Sequence, residues 1–199
     1  MEFGEVLRRR RMVRRFDGRP PSRELLDGVL AAALHAPSAG FAQGVDLLVL
    51  EGAERLDRFW RATTDPARWR QPLGARSGAP VVVLVLSDRQ AYLDRYAEPD
   101  KAALGLDAEA AWPLPYWDLD AAMAAMLLLL AAVDAGLGAW LFGVFHGQER
   151  LLRELGVPPG HRLVGAVALG HPAPGERPVG SAVRRRRRTL DEVVHRGRW

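Results

Sequence analysis

The spacing of apolar positions divides the chain into a run of short elements. Residues 2–10 read as a short helix. After two prolines, Ser22 is placed to cap a helix in which Leu25, Leu26, Val29, Leu30 and Ala33 recur at helical spacing, and Pro37 ends it. The run VDLLVLEG at 45–52 is rich in strand formers, and 53–64 returns to helical spacing. APVVVLVLSD at 79–88 is the strongest strand, because its consecutive apolar residues suit a strand covered on both faces. A short helix is predicted around 88–97. Residues 98–115 are irregular, with EPDKAALG and WPLPYW reading as a loop or lid with an aromatic surface. A long helix spans 116–135, with Gly136 placed to end it. A strand at 138–145, a helix in QERLLRELGVPPG stopped by Gly156 and two prolines, and a strand at 162–172 follow. From 173 onward comes a Pro/Gly-rich extension, then arginines, then a short helical TLDEVVHRGRW.

Strands alternating with helices, with no repeat and no long polar linker, predict an α+β or α/β fold in one domain. The helix at 116–135 is apolar nearly all round. That pattern asks for burial on every side, which is easiest if a partner subunit covers one face. Its most apolar part, AAMAAMLLLLAAV at 121–133, would cover about 20 Å as a helix against a hydrocarbon core of about 30 Å, so it reads as a buried helix.

Composition narrows the classes. With 199 residues, 48% hydrophobic and 26% charged, the chain is long enough for one sizeable core and is not generally disordered. The absence of cysteine removes disulfides, thiolate metal sites and cysteine nucleophiles. MEFGEVLRRRR carries no apolar segment after its charges, so no secretory signal is expected, and a cytoplasmic protein is the expectation. Of 28 Lys+Arg residues only Lys101 is lysine, yet the formal net charge is only +4.

Arginine is concentrated in two places, LRRRRMVRRF near the start and RRRRR at 184–188. Loose basic arms for a polyanion are one reading. A folded anion site is the other: on a helix, Arg10, Arg11 and Arg14 would be close enough to converge, and the planar guanidinium suits phosphate oxygens. HAPSAGFAQG at 35–44 is a turn of small residues in which Gly40 permits close approach to a planar ligand, while Ser38 and Gln43 could donate and accept at its edge. GLGAWLFG at 136–143 is glycine-punctuated but is not GxGxxG leading into a helix. The five histidines, His35, His146, His161, His171 and His195, show no metal-ligand spacing, so no metal site is expected. Trp112, Tyr116 and Trp117 could form a substrate-facing aromatic wall with at least one of them in the core. Asp94, Glu98 and Asp100 read as solvated helix-end charges.

Taken in order, these segments resemble the FMN-dependent nitroreductase family. Arg10, Arg11, Met12, Arg14 and Phe16 match its opening motif of two arginines, usually a serine, a third arginine and a phenylalanine. Ala36, Pro37, Ser38, Ala39, Gly40, Phe41 and Gln43 match its Ala-Pro-Ser segment ending in glutamine. DAGLGAWLFG after the apolar helix, and LVGAVALGHP followed by TLDEVVHRGRW, resemble its later landmarks, so the likeness runs over 5–199. The resemblance implies a nitroreductase-like α+β fold: a central mixed sheet flanked by helices in a single domain, and an intertwined homodimer with a long apolar interface helix.

It also implies that Arg10, Arg11 and Arg14 grip the phosphate and ribityl chain of FMN, joined by Arg187. Pro37, Ser38 and Gln43 would reach the flavin from the partner subunit. Phe142, Gly143 and the backbone near His146 and Gly147 would lie by the ring, with His146 a candidate proton donor. Met12 stands where serine is usual and Phe41 where asparagine is frequent, so each loses a polar contact, and the range of acceptors could differ from that of ordinary nitroaromatic reduction. NADH or NADPH would supply a hydride, and a nitroaromatic, quinone or other conjugated small molecule would accept electrons in a ping-pong cycle. Because the cofactor carries the chemistry, no catalytic triad is required. The rival readings are a protein that stores or rearranges flavin or uses a deazaflavin-like carrier, and a nucleic-acid-binding protein. Against the latter, the arginines are not interleaved with exposed aromatics and the net charge is modest, so neither nucleic acid nor membrane is an expected partner.

Overall fold

Six successive apolar residues, Val81 to Leu86, form the heart of strand β2 (Val81–Asp88), and all six are buried. The computed structural model describes residues 1–65, 67, 77–179 and 181–199. In it β2 lies inside a four-stranded sheet with β1 (Val45–Glu51), β3 (Gly138–Phe142) and β4 (His161–Gly170), in the order β1-β2-β4-β3. Val83 pairs with Val49 on one side and with Val167 on the other. Alternate side chains then serve two separate cores. Val81, Val83 and Val85 pack under α2 (Arg23–Ala33) and the long helix, while Val82, Leu84 and Leu86 pack with Phe59 and Trp60 of α3 (Ala53–Thr63).

The sequence expectations hold for most elements. Helix α1 covers Phe3–Arg9, and α2 is capped by Ser22, whose Oγ accepts from the Leu25 N–H at 3.2 Å. Helix α4 (Arg89–Ala97) is capped by Asp88, which accepts from the Gln90 N–H at 2.9 Å. Helix α5 (Tyr116–Asp134) lays Ala121, Ala124, Ala125, Leu128, Leu129 and Ala132 on the sheet, the alanines allowing close approach. Its 19 residues are long and apolar enough to cross a membrane by length and composition, but this face is committed to the core. Helices α6 (Gln148–Glu154) and α7 (Ser181–Arg184) follow.

Four expectations are corrected. The sheet is antiparallel in every strand pair rather than mixed, because α3 and α6 each return the chain to the end of the sheet it left. Among the described residues, parallel pairing is confined to one bridge, Met12 to Ala139. Strand β3 stops at Phe142, and Phe145 beyond it is 96% exposed. TLDEVVHRGRW forms a turn, with the N–H groups of Val193 and Val194 both donating to the Leu190 carbonyl. Exposed throughout most of its length, it has no apolar surface against which a short helix could be stabilised.

Residues 98–115, finally, are docked rather than lid-like. Trp112 packs against Tyr92, Tyr96, Tyr116 and Trp117, and its indole N–H donates to the Leu106 carbonyl at 2.8 Å. Trp117 is buried, so it and Trp112 belong to a side core with Tyr92 and Tyr96, while Tyr116 stays exposed at its margin.

Leu128 sits at the centre of α5 with no exposed surface. Leu128→Ala is expected to cost about 2–5 kcal/mol in chemical denaturation, the range for a core truncation that leaves a cavity.

Candidate functional site

The first arginine cluster is brought to the outer edge of the sheet by its backbone. Helix α1 ends at Arg9, and Arg10 already has an extended conformation (φ −59°, ψ 119°). Met12 bridges Ala139, and the Val13 N–H donates to the Ala139 carbonyl at 2.9 Å, so the chain runs beside the exposed edge of β3. This needs glycine at 138, where an added Cβ would stand 2.7 Å from the Val13 side chain. The three arginines therefore do not converge through helical spacing.

Each has a different environment. Arg11 is tied to Glu176: one guanidinium nitrogen donates to the carboxylate and the other to the Glu176 carbonyl at 3.2 Å. The same carboxylate accepts from the Arg14 backbone N–H at 3.0 Å, and it is only 3% exposed. The Arg14 guanidinium lies over the Trp140 ring, 6.0 Å from its centre. Arg10 and the side chain of Arg14 pair with no carboxylate among the described residues.

From Trp140 the edge leads directly to the ring-side residues. Trp140 packs on Phe142 with centres 4.6 Å apart, and Trp60 stacks on Phe142 at 5.4 Å. Phe142 and Gly143 open on a cavity of about 290 Å³ shared with Ala122, Leu141 and Gly165. Gly143 is exposed, and a Cβ there would strike the Phe145 ring at 2.5 Å. His146 is exposed in the loop that follows, and Gly147 (φ 65°) caps α6. The structure thus assembles Arg10, Met12, Arg14, Phe142 and Gly143 along one edge.

Pro37, Ser38 and Gln43 line a different cavity, of about 180 Å³, with Leu34, Phe41 and Leu47. The Ser38 hydroxyl is already engaged: it accepts from the Gln43 N–H at 2.8 Å and lies 3.4 Å from the Tyr92 hydroxyl. Phe41 is 73% exposed and the Gln43 side chain is exposed beside it. Arg187 is exposed in the tail. Its neighbours are held by Glu192, through a paired contact from Arg186 at 2.7 and 2.5 Å and a contact from Arg188 to the Glu192 carbonyl. Arg186 holds the Glu192 carboxyl down to about 2. Among the described residues no hydrogen bond or ion pair joins this run to residues 10–14, so a single chain does not bring the two arginine clusters together. Asp94 and Asp100 are indeed surface charges, but Asp100 grips Arg95 through two hydrogen bonds at 2.7 and 2.8 Å.

Four residues near these sites were not singled out from sequence: Glu176, Asp120, Tyr92 and Arg95. Asp120 carried a signal, a carboxylate at the start of the most apolar run of its helix. It is 2% exposed and accepts from Tyr92 and from the Ala39 N–H, both at 2.8 Å. Glu176 carried none, since its partner Arg11 lies 165 positions away.

Arginines without a carboxylate partner among the described residues, on a strand edge that also carries Trp140 and Phe142, suit a ligand that is anionic at one end and planar at the other. This is also where the fold can be compared with known proteins. The sequence model of the nitroreductase family matches residues 7–171, and the chain belongs to that family. A protein of Archaeoglobus fulgidus named as an NADH dehydrogenase/NAD(P)H nitroreductase is 31% identical over 82% of this chain and 81% of its own. One of the same name from Methanothermobacter thermautotrophicus is 28% identical over 89% and 82%. A protein of Desulfovibrio desulfuricans described as a nitroreductase, solved in complex with FMN, superposes with a TM-score of 0.70 at 26% identity, covering 98% of this chain and 95% of its own.

The buried pair is open to a double-mutant cycle in chemical denaturation. Arg11→Ala and Glu176→Ala are each expected to destabilise the fold, with a coupling of about 1–3 kcal/mol between them. Additive effects would show that Arg11 and Glu176 do not act as a pair.

Proposed function

We propose that the chain is an FMN-dependent oxidoreductase that takes electrons from NADH or NADPH and delivers them to a small conjugated acceptor such as a nitroaromatic or quinone. The observation that carries this reading is the edge of β3 in a nitroreductase-family fold, where Arg14 lies over Trp140, Phe142 and Gly143 line a cavity, and Arg10 and Arg14 have no carboxylate partner among the described residues. The names of the archaeal relatives and the FMN in the Desulfovibrio structure support it. FMN, when bound, supplies the redox chemistry, accepting a hydride from the nicotinamide and passing electrons to the acceptor in a ping-pong cycle.

The protein's part is binding and orientation. Arg10 and Arg14 neutralise the phosphate end, whereas Arg187, exposed in the tail, is not brought to residues 10–14 within one chain and is left out of this task. Arg11 does not share this task, because Glu176 already holds its guanidinium. Met12 holds the arginine segment against Ala139 by its backbone, so the missing serine hydroxyl costs one contact and not the geometry. Trp140 and Phe142 form an apolar wall, and Gly143 leaves its backbone accessible beside the ring position. His146, exposed in the adjoining loop, is placed to supply a proton.

Pro37, Ser38 and Gln43 complete the site from a second subunit. Helix α5 gives that subunit a surface to hold. Tyr116, Leu119, Met123 and Met126 are all exposed, at spacings of three and four residues, so they form one apolar stripe down the helix. A stripe of this kind on a water-facing helix is stabilised when a second copy covers it.

Arg10→Ala and Arg14→Ala are each expected to weaken FMN binding roughly ten- to a hundredfold, the worth of one charged hydrogen bond, and Arg11→Ala to weaken it much less. Flavin titration of the apoprotein measures this. A colourless protein that cannot be reconstituted with FMN, yet binds DNA with a steep salt dependence, would overturn the reading. Met123→Glu places a charge in the apolar stripe and is expected to shift the protein from dimer to monomer in analytical ultracentrifugation. An unchanged mass would remove α5 from the interface.

A further inference from the structure

The loop at 38–43 adopts a backbone that its own residues disfavour. Gly40, Phe41 and Gln43 all have positive φ, at 61°, 58° and 54°. Phe41 and Gln43 are the only non-glycine residues with positive φ among the described residues. A bulky aromatic in that region is uncommon, and such backbone persists only where the surroundings over-determine it.

The surroundings here come from three separate elements. Buried Asp120, on α5, accepts from the Ala39 N–H and from the Tyr92 hydroxyl with the same oxygen, both at 2.8 Å. Since the Tyr92 proton is committed to Asp120, the Ser38 hydroxyl at 3.4 Å donates to the Tyr92 oxygen. Ser38 is then left to accept from the Gln43 N–H at 2.8 Å, which fixes Gln43 in its left-handed conformation. Burial, reinforced by the Asp120 carboxylate, raises Tyr92 above the ordinary phenol range, so it remains a donor at any working pH. On the other side Arg95, itself gripped by Asp100, donates to the Gly40 carbonyl at 2.9 Å. Tyr96 closes the space above Gly40, where a Cβ would stand 2.7 Å from its ring.

The Ser38 hydroxyl, the N–H groups of Ala39 and Gln43 and the Gly40 carbonyl are thereby occupied, while the Phe41 ring and the Gln43 amide are left exposed. The loop's inward polar groups hold its shape, and its outward side chains are what it offers to a ligand.

We propose that Asp120, Tyr92 and Arg95 are positioning residues that act through Ser38 and Gly40 to hold Phe41 and Gln43 ready against the flavin of the partner's site. This rests on the functional reading above, in which the loop meets bound FMN. The relay would order the loop before the cofactor arrives, so that binding FMN does not have to overcome the disfavoured backbone.

Ser38→Ala and Tyr92→Phe in the full chain test it, read by FMN dissociation constant, by visible circular dichroism of the bound flavin and by thermal melting. Each variant is expected to raise the dissociation constant about three- to tenfold, the scale of one lost hydrogen bond, and to change the flavin dichroism. Ser38→Thr, which keeps the hydroxyl, is expected to restore both. Ser38 is only half-buried, so its alanine variant carries the test if Tyr92→Phe does not fold. Unchanged FMN affinity and dichroism, with or without a lower melting temperature, would overturn the proposal and make the relay purely structural. If Arg10→Ala weakens FMN binding in that case, the functional reading stands without it. A wild-type chain that binds no FMN would overturn both.

Discussion

Six consecutive apolar residues in β2 can be buried only if both faces of the strand are covered and both edges are paired, and this constraint organises the molecule. It places β1 and β4 on either side of β2, and it demands a layer of helix above and below the sheet. The layer containing α2 and α5 is thin because the α5 residues facing the sheet are mainly alanines. With the centre taken, β3 is left at the edge, five residues long, with its outer side open. An open edge can pair with another backbone. Here residues 12 and 13 of the arginine-rich stretch take up the start of it, which ties the backbone between Arg11 and Arg14 to the sheet.

The elements were legible in the sequence wherever a local pattern determined them. Helical spacing after Ser22, the apolar run at 81–86 and the apolar helix ended by Gly136 all report nearest-neighbour constraints, and the structure follows them closely. The failures share the opposite character. Trp112 looked like part of a loop or lid with an aromatic surface because its partners, Tyr92 and Tyr96, lie on a different helix. The pairing of Arg11 with Glu176 had no sequence signal because Glu176 is far away in the chain. The final segment had the propensity for a helix but no surface to pack against, and propensity alone does not hold so short a helix. For the site, the residue types and the segments that carry them could be read from sequence, but the partners that assign each residue its task could not.

Ser38 shows how such an assignment changes meaning. From sequence it is a polar residue in a turn of small ones, available to a ligand. In the structure its hydroxyl stands between Tyr92 and the Gln43 backbone, and the groups left facing outward are those of Phe41 and Gln43. The polar residue of the motif thus shapes the loop, and the residue that departs from the family pattern, Phe41, is the one presented. The exposed ring gives the loop an apolar face beside the Gln43 amide.

The arginine cluster follows the same logic in charge. Arginines crowded into one stretch repel one another, and a site that gathered all of them around one anion would have to overcome that repulsion before the ligand arrived. Acidic residues remove part of it. Glu5 takes Arg9 at 2.6 Å, and Glu176 takes Arg11. Glu176 is delivered by backbone pairing rather than by chance proximity: the Asp17 N–H donates to the His171 carbonyl, and the Ala173 N–H donates to the Arg15 carbonyl. The chain after β4 is therefore laid along the arginine segment, and its carboxylate reaches both the Arg11 side chain and the Arg14 backbone. One buried acid neutralises the arginine that faces the protein and anchors the backbone of the next one that faces outward. The charge that remains for a ligand is smaller than the sequence suggests, and it is held in place, as a small anion requires and a polyanion does not.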